Sequence, residues 1–226
     1  MISYSIPKNS LILSPMEGVT DDIYRVCMEE LGLDWDFMAC DFYRIPRFGK
    51  ISPKSIIKHY GELSYANSKI KNKTIYQVLT SPGCQTEQAT KVIHDLGFHH
   101  LDLNLGCPSK KVNSHQGGAY LLSDIPELLK IIRQMRRIFT KTFSVKMRVG
   151  YLDDSLFLKL IHIFNEEGID YITIHARTKL QMYKGIADWS YIKKAVEISK
   201  VPIIGNGDIW TLSDVDNMFQ KLTAIA

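Results

Sequence analysis

Residues 99–112, HHLDLNLGCPSKKV, read as an apolar run that stops at Gly106-Cys107-Pro108, with Lys110 and Lys111 just behind. A thiol at such a place is either a small buried hydrophobe or an exchangeable proton held at the mouth of a strand. Other apolar runs end on polar residues too. Lys146 and Arg148 in FSVKMRVG, His175 and Arg177 in YITIHART, Asp102 and Asn104, and Asn206 and Asp208 in VPIIGNGDI are each spaced two apart. In a strand, such pairs point to one side. Gln77 is an amide inside the apolar TIYQVLT, and Pro15, Met16 and Glu17 follow the run LILS. Charged residues are seldom buried unless paired or functional, so the set implies one cleft at the tips of several strands. Taken alone, Lys146 reads equally well as a Schiff-base lysine.

The elements that must position these groups alternate. Seven β-rich runs begin near residues 11, 37, 74, 100, 143, 171 and 201. Between most of them lie stretches with helical spacing, such as TEQATKVIHDLG and IPELLKIIRQMRRIF, and Gly32, Gly97 and Gly168 stand where helices should end. Residues 46–73 are the exception, a polar stretch with one short helical candidate around Ser55–Gly61. Strand–helix alternation predicts parallel strands with crossover helices. Polar residues at nearly every strand's C-terminal end favour a (β/α)8 TIM barrel over an open sheet, which would gather them at one switch point. No Gly-rich dinucleotide fingerprint follows the first run. The barrel is expected to be incomplete, with about seven strands.

Bulk properties narrow the class further. A net charge of +4 and a pI near 8.7 suit a nucleic-acid partner and suit many metabolic enzymes equally. Cys27, Cys40, Cys84 and Cys107 are too far apart in sequence for a zinc or redox pair and too few for a disulfide framework, which predicts reduced thiols and no metal. MISYSIPKNSLILSPM lacks the basic and apolar regions of a signal peptide, and no run is long enough to span a membrane. A soluble, cytoplasmic protein is expected.

The combination SPMEGVTD, LDLNLGCPSKKV, GGAYLL, SVKMRVG, TIHARTKLQMYKG and VPIIGNGDI resembles the tRNA-dihydrouridine synthase family, in the family's order and over nearly the whole chain. VNSHQGGAYLL, ADWSYI and NGDIW are most similar to its bacterial C subgroup. The resemblance implies a flavoprotein that holds FMN at the strand tips, takes electrons from NADPH and reduces a D-loop uridine of tRNA to dihydrouridine. It implies Cys107 as the proton donor to C5, Asn104 and Arg148 as the uracil-reading pair, and Lys146 beside flavin N1 and O2. Gln77, Pro15 and Met16 are then expected at the isoalloxazine, and His175, Asn206 and Asp208 at the ribityl and phosphate end. Arg177 is expected on the rim, and Lys110 and Lys111 where tRNA phosphates could pass.

The chain also departs from the family pattern. Members continue into an eighth strand with a Gly-Arg-Gly phosphate loop and then a C-terminal helical tRNA-binding domain. Residues 1–226 are therefore expected to be FMN-binding barrel only, truncated before both, from an enzyme that is monomeric at full length. Ser14, Asp41, Thr80-Ser81 and Ser114-His115-Gln116 replace residues more usual in the family. Two alternatives stay open: an FMN barrel acting on free pyrimidines, and an inactive truncated product.

Overall fold

In the computed structural model, which describes residues 6–33 and 35–222, eight strands form one parallel sheet. They are β1 (Ile12–Leu13), β2 (Phe37–Ala39), β3 (Tyr43–Arg44), β4 (Thr74–Leu79), β5 (His100–Leu105), β6 (Thr142–Arg148), β7 (Tyr171–His175) and β8 (Ile203–Asn206). The order is β1-β2-β4-β5-β6-β7-β8, and β3 also pairs with β4. This is a TIM-barrel-type α/β fold. Among the described residues β1 and β8 are not paired, so the wall is open between them. Asn206 Nδ2 reaches across that opening to Ser14 Oγ at 3.0 Å.

Strands β2 and β3 are the single second run of the sequence, interrupted. Ala39 stands opposite Ile75 and Tyr43 opposite Val78, so three residues, 40–42, face two, 76–77. One extra residue makes a bulge. At the break, Gln77 N–H donates to Cys40 Sγ (3.4 Å) where a ladder carbonyl would stand.

Alternation along each strand sorts the side chains. Leu101, Leu103 and Leu105 of β5, Phe143, Val145 and Met147 of β6, and Ile172 and Ile174 of β7 join the main core. The helix Ile125–Ile138 packs there through Leu128, Ile131, Ile132 and Met135, spaced for one helical face. Its outward arginines pair with acids elsewhere: Arg133 with Glu167, Arg136 with Asp170, and Arg137 with Glu87. The opposite strand faces line the barrel interior. At the bottom, Ala39, Ile75 and Tyr171 pack together against Ile12 and Ile204. Higher up the interior turns polar.

Residues 46–73 hold three short helices, Pro53–Tyr60, Glu62–Ala66 and Ser68–Lys73, where sequence periodicity points to one. The other two lack an apolar repeat and are set by side-chain caps. Asp22 accepts from Leu63 N and Ser64 N, and Asn67 accepts from Lys69 N and Ile70 N. Gly61, at φ +105°, lies against Asp22 so closely that a Cβ would overlap its carboxylate. The glycines expected to end helices, Gly32, Gly97 and Gly168, adopt φ of +66°, +79° and +71°. Among the described residues no helix is long and apolar enough to cross a membrane.

Candidate active site

A cavity of about 420 Å³ opens at the C-terminal ends of the strands. Its lining includes Pro15, Met16, Asn104, Cys107, Lys146, Arg148 and His175. A smaller one, about 70 Å³, continues beneath it and shares Pro15 and Lys146, with Gln77, Asp102, Tyr171 and Asn206 in its walls.

Register explains the grouping. Gln77 pairs with Asp102 and Asp102 with Ser144; one layer higher, Asn104 pairs with Lys146, and above that Arg148 with His175. Each strand contributes its inward residue at the same height.

Cys107 is 9% exposed and packs with Phe42, Leu79 and Val112. Burial there pushes its thiol above its ordinary pKa, so it stays protonated at neutral pH. Its backbone is held on both sides. Cys107 N and Gly106 N donate to Asn104 Oδ1 (2.9 and 3.0 Å), and Asn113 Nδ2 donates to Cys107 O (3.0 Å). Gly118 completes the seat, since a Cβ at its φ of +59° would press within 3.1 Å of Cys107 Cβ.

Two cations face the cavity. Lys146 Nζ donates to Asn206 Oδ1 at 3.0 Å, and burial lowers its pKa to about 8. Arg148, 1% exposed, spends Nε on Gly106 O and Nη1 on the carbonyls of Thr178 and Met182. Burial lowers its pKa as well. Among the described residues neither makes an ion pair with a carboxylate. His175 sits beside them, and burial together with the charges of Lys146, Arg148 and Arg177 drops its pKa to about 3. It is a neutral imidazole. A half-buried and a buried cation with no carboxylate at ion-pair distance, although Glu17 stands in the cavity wall and Asp102 lies below Lys146, suit an anionic ligand, and flavin mononucleotide fits that donor set.

Asp102, Gln77 and Ser144 form a buried polar floor. Desolvation raises Asp102 to about 6, partly offset by hydrogen bonds from Ser144 and Gln77. Gln77 is fully buried and donates to Asp102 at 2.7 Å while accepting from Asn104 at 2.8 Å.

Not every expected residue stands free for a ligand. Sequence reasoning puts Arg177 on the rim, but it is 5% exposed and donates to both oxygens of Asp208, at 2.9 and 2.7 Å, and to the carbonyls of Lys184 and Gly185. Asp208 also accepts from Ala187 N at 2.7 Å. Burial alone would raise its pKa, yet these partners hold it below the usual carboxylate range. The pair anchors the loop after β7. Lys110 and Lys111 are exposed in the helical turn Lys110–Asn113, outside the cavity lining. Met16, 40% exposed, stands at the mouth. The strand-tip pattern does not single out every lining residue: Phe42, Ser109, Met182 and Tyr183 line the cavity too, the last two within the run TIHARTKLQMYKG. Tyr183, eight positions past His175, lies with its ring 5.2 Å from the Arg148 guanidinium. Among the described residues no cluster of three or more His, Cys, Asp or Glu could hold a metal ion.

The model of the family described as dihydrouridine synthase (Dus) matches residues 12–226. The tRNA-dihydrouridine(16) synthase of Pseudomonas syringae pv. tomato is 38% identical over 211 residues, covering 90% of this chain and 65% of the relative. Those of Shewanella oneidensis and Haemophilus influenzae are 34% and 35% identical, covering 93% and 90% of this chain and 67% and 66% of theirs. The chain thus spans about two thirds of the length of the curated relatives it matches. Among solved structures, "QR15, an Aldolase" superposes with a TM-score of 0.56 at 14% identity, covering 94% of this chain and 85% of its own. A GH18 chitinase from Pseudoalteromonas aurantia superposes at 0.54 and 10% identity, covering 87% and 79%. At such identities the likeness is one of fold.

Proposed function

The chain belongs to the dihydrouridine synthase family, and on that footing we propose that its cavity binds FMN and reduces uridine to 5,6-dihydrouridine in the D-loop of tRNA. NADPH is the reductant, and position 16 is the target, as in the names of its relatives. Those names, with VNSHQGGAYLL, ADWSYI and NGDIW, support the C subgroup. On this reading residues 1–226 are catalytic-domain sequence.

The observation that carries the proposal is the half-buried Lys146 and the buried Arg148, facing one cavity with no carboxylate at ion-pair distance among the described residues and beside a thiol that burial keeps protonated. FMN, when bound, supplies the hydride equivalent for uracil C6. Lys146 and Asn206 would hold the electron-rich side of its ring system, with Pro15 and Met16 at the mouth and Gln77 supporting from below. His175 serves the phosphate-bearing chain, and Asp208 acts there through the loop it ties to Arg177. Cys107 keeps its proton until charge builds at C5 and then gives it up. Asn104 and Arg148 orient the base, and the guanidinium stabilises charge developing on a carbonyl oxygen. The exposed Lys110 and Lys111 add phosphate contacts to the tRNA backbone. A target uridine must leave its stack to enter.

The test is dihydrouridine formation in unmodified tRNA with FMN and NADPH, beside free uracil. Cys107→Ala is expected to retain flavin and to lose about a hundredfold or more in rate, the usual scale for a missing general acid. An undiminished rate in that variant, or free uracil reduced as readily as tRNA, would overturn the proposal; the latter favours the free-pyrimidine alternative.

A further inference from the structure

Four buried side chains at the base of the cavity form one directed series of hydrogen bonds that ends on two main-chain N–H groups. Ser144 Oγ donates to Asp102 Oδ1 at 2.5 Å, and Gln77 Nε2 donates to Asp102 Oδ2 at 2.7 Å. Asn104 Nδ2 donates to Gln77 Oε1 at 2.8 Å, and Asn104 Oδ1 accepts from Gly106 N and Cys107 N. Exposure is 0% at Ser144 and Gln77, 3% at Asp102 and 8% at Asn104.

The two ends of the series have fixed polarity. An ionised carboxylate only accepts, and a main-chain N–H only donates. The two side-chain amides between them could each point either way, but one arrangement alone satisfies every contact. Reversing Gln77 would set its oxygen against the carboxylate and its NH2 against that of Asn104, two clashes between buried groups in a low-dielectric site. Asn104 therefore turns its oxygen inward to the Cys107 turn. What remains for the cavity is its second N–H, beside the donors of Arg148.

We infer that Asp102 is a positioning residue. Its carboxylate orients the amides of Gln77 and Asn104 in series, steadies the turn that carries Cys107, and leaves a donor-only edge for the base. A donor-only edge donates to the carbonyls of uracil and opposes the exocyclic amine of cytosine. This inference rests on the function proposed above for its catalytic consequence, though not for the orientation of the amides.

Ser144 makes the idea testable, because a hydroxyl can donate or accept. In Asp102→Asn the new oxygen can keep accepting from Gln77 while the new NH2 donates to Ser144, so the series survives. In Asp102→Leu, close in size, the acceptor is gone. The experiment follows the side-chain amide protons of Gln77 and Asn104 by 15N NMR exchange in the flavin-free full chain. Both should be protected in the parent and in Asp102→Asn. Protection of both should fall at least tenfold in Asp102→Leu, including that of Asn104, which Asp102 does not touch. Should the leucine variant fail to fold, Gln77→Met breaks the next link and should free Asn104 in the same way. Turnover per flavin-loaded molecule should then fall tenfold or more in Asp102→Leu, stay within threefold in Asp102→Asn, and leave KM for tRNA unchanged in both. An Asn104 amide indifferent to the leucine change, or an asparagine variant as damaged as the leucine one, overturns the inference. If the amides respond as stated and the parent reduces no uridine, the proposed function fails and the orienting role stands.

Discussion

Lys146→Met should make the flavin-free protein more stable, although it removes a residue placed in the site. Burial lowers the pKa of Lys146 from 10.5 to about 8. At about 1.4 kcal/mol per unit, folding disfavours the ammonium by roughly 3 kcal/mol. Methionine lifts that cost and gives up the hydrogen bond to Asn206, worth about 1 kcal/mol. The net gain is about 2 kcal/mol, an upper value because the side chain keeps some exposure to the cavity. For a chain of this size it corresponds to a Tm about 4–8 °C higher. The sign of the pH dependence follows from linkage. Below about pH 8 both folded and unfolded states hold the proton, and the cost is paid in full. Between about 8 and 10.5 the folded state has shed it and the unfolded state has not, so the parent gains stability relative to the variant. The assay is urea unfolding of both proteins from pH 7 to 10.5, reading their difference so that other titrations cancel. A variant less stable than the parent at pH 7, or a gap that stays constant across the range, would refute the charge argument on which the site rests.

Two further outcomes are expected. Arg177→Met leaves the Asp208 carboxylate, 20% exposed at its side chain, without its cation, and should cost about 3 kcal/mol in urea unfolding, at the low end for a broken buried pair; amide exchange in the loop it anchors, 184–187, should speed up with it. Cys107, buried and held protonated, should be alkylated by iodoacetamide at pH 8 at least tenfold more slowly than the exposed Cys27, as read by peptide mass spectrometry.

Local pattern carried the architecture. Period-two runs, helical spacing and terminal glycines are properties of single segments, and they place seven of the strand regions, the crossover helices and the polar strand tips without any knowledge of pairing. Lys146, Arg148, Asn104, Cys107 and His175 could be assigned to one cavity because a barrel brings all strand tips to one end.

Pattern along the chain therefore settles the face on which each residue lies and the end of the barrel it approaches. Which residues meet across strands is set by pairing and packing. Ser144, Asp102, Gln77 and Asn104 share a floor because β4, β5 and β6 pair in one register, and side-chain alternation within a strand leaves that register free. Arg177 joins Asp208 across 31 residues and is drawn in from the rim, and Asp22 caps a helix 41 residues away. In each case the deciding contact lies between groups far apart in sequence, and only closure of the chain brings a donor to its acceptor.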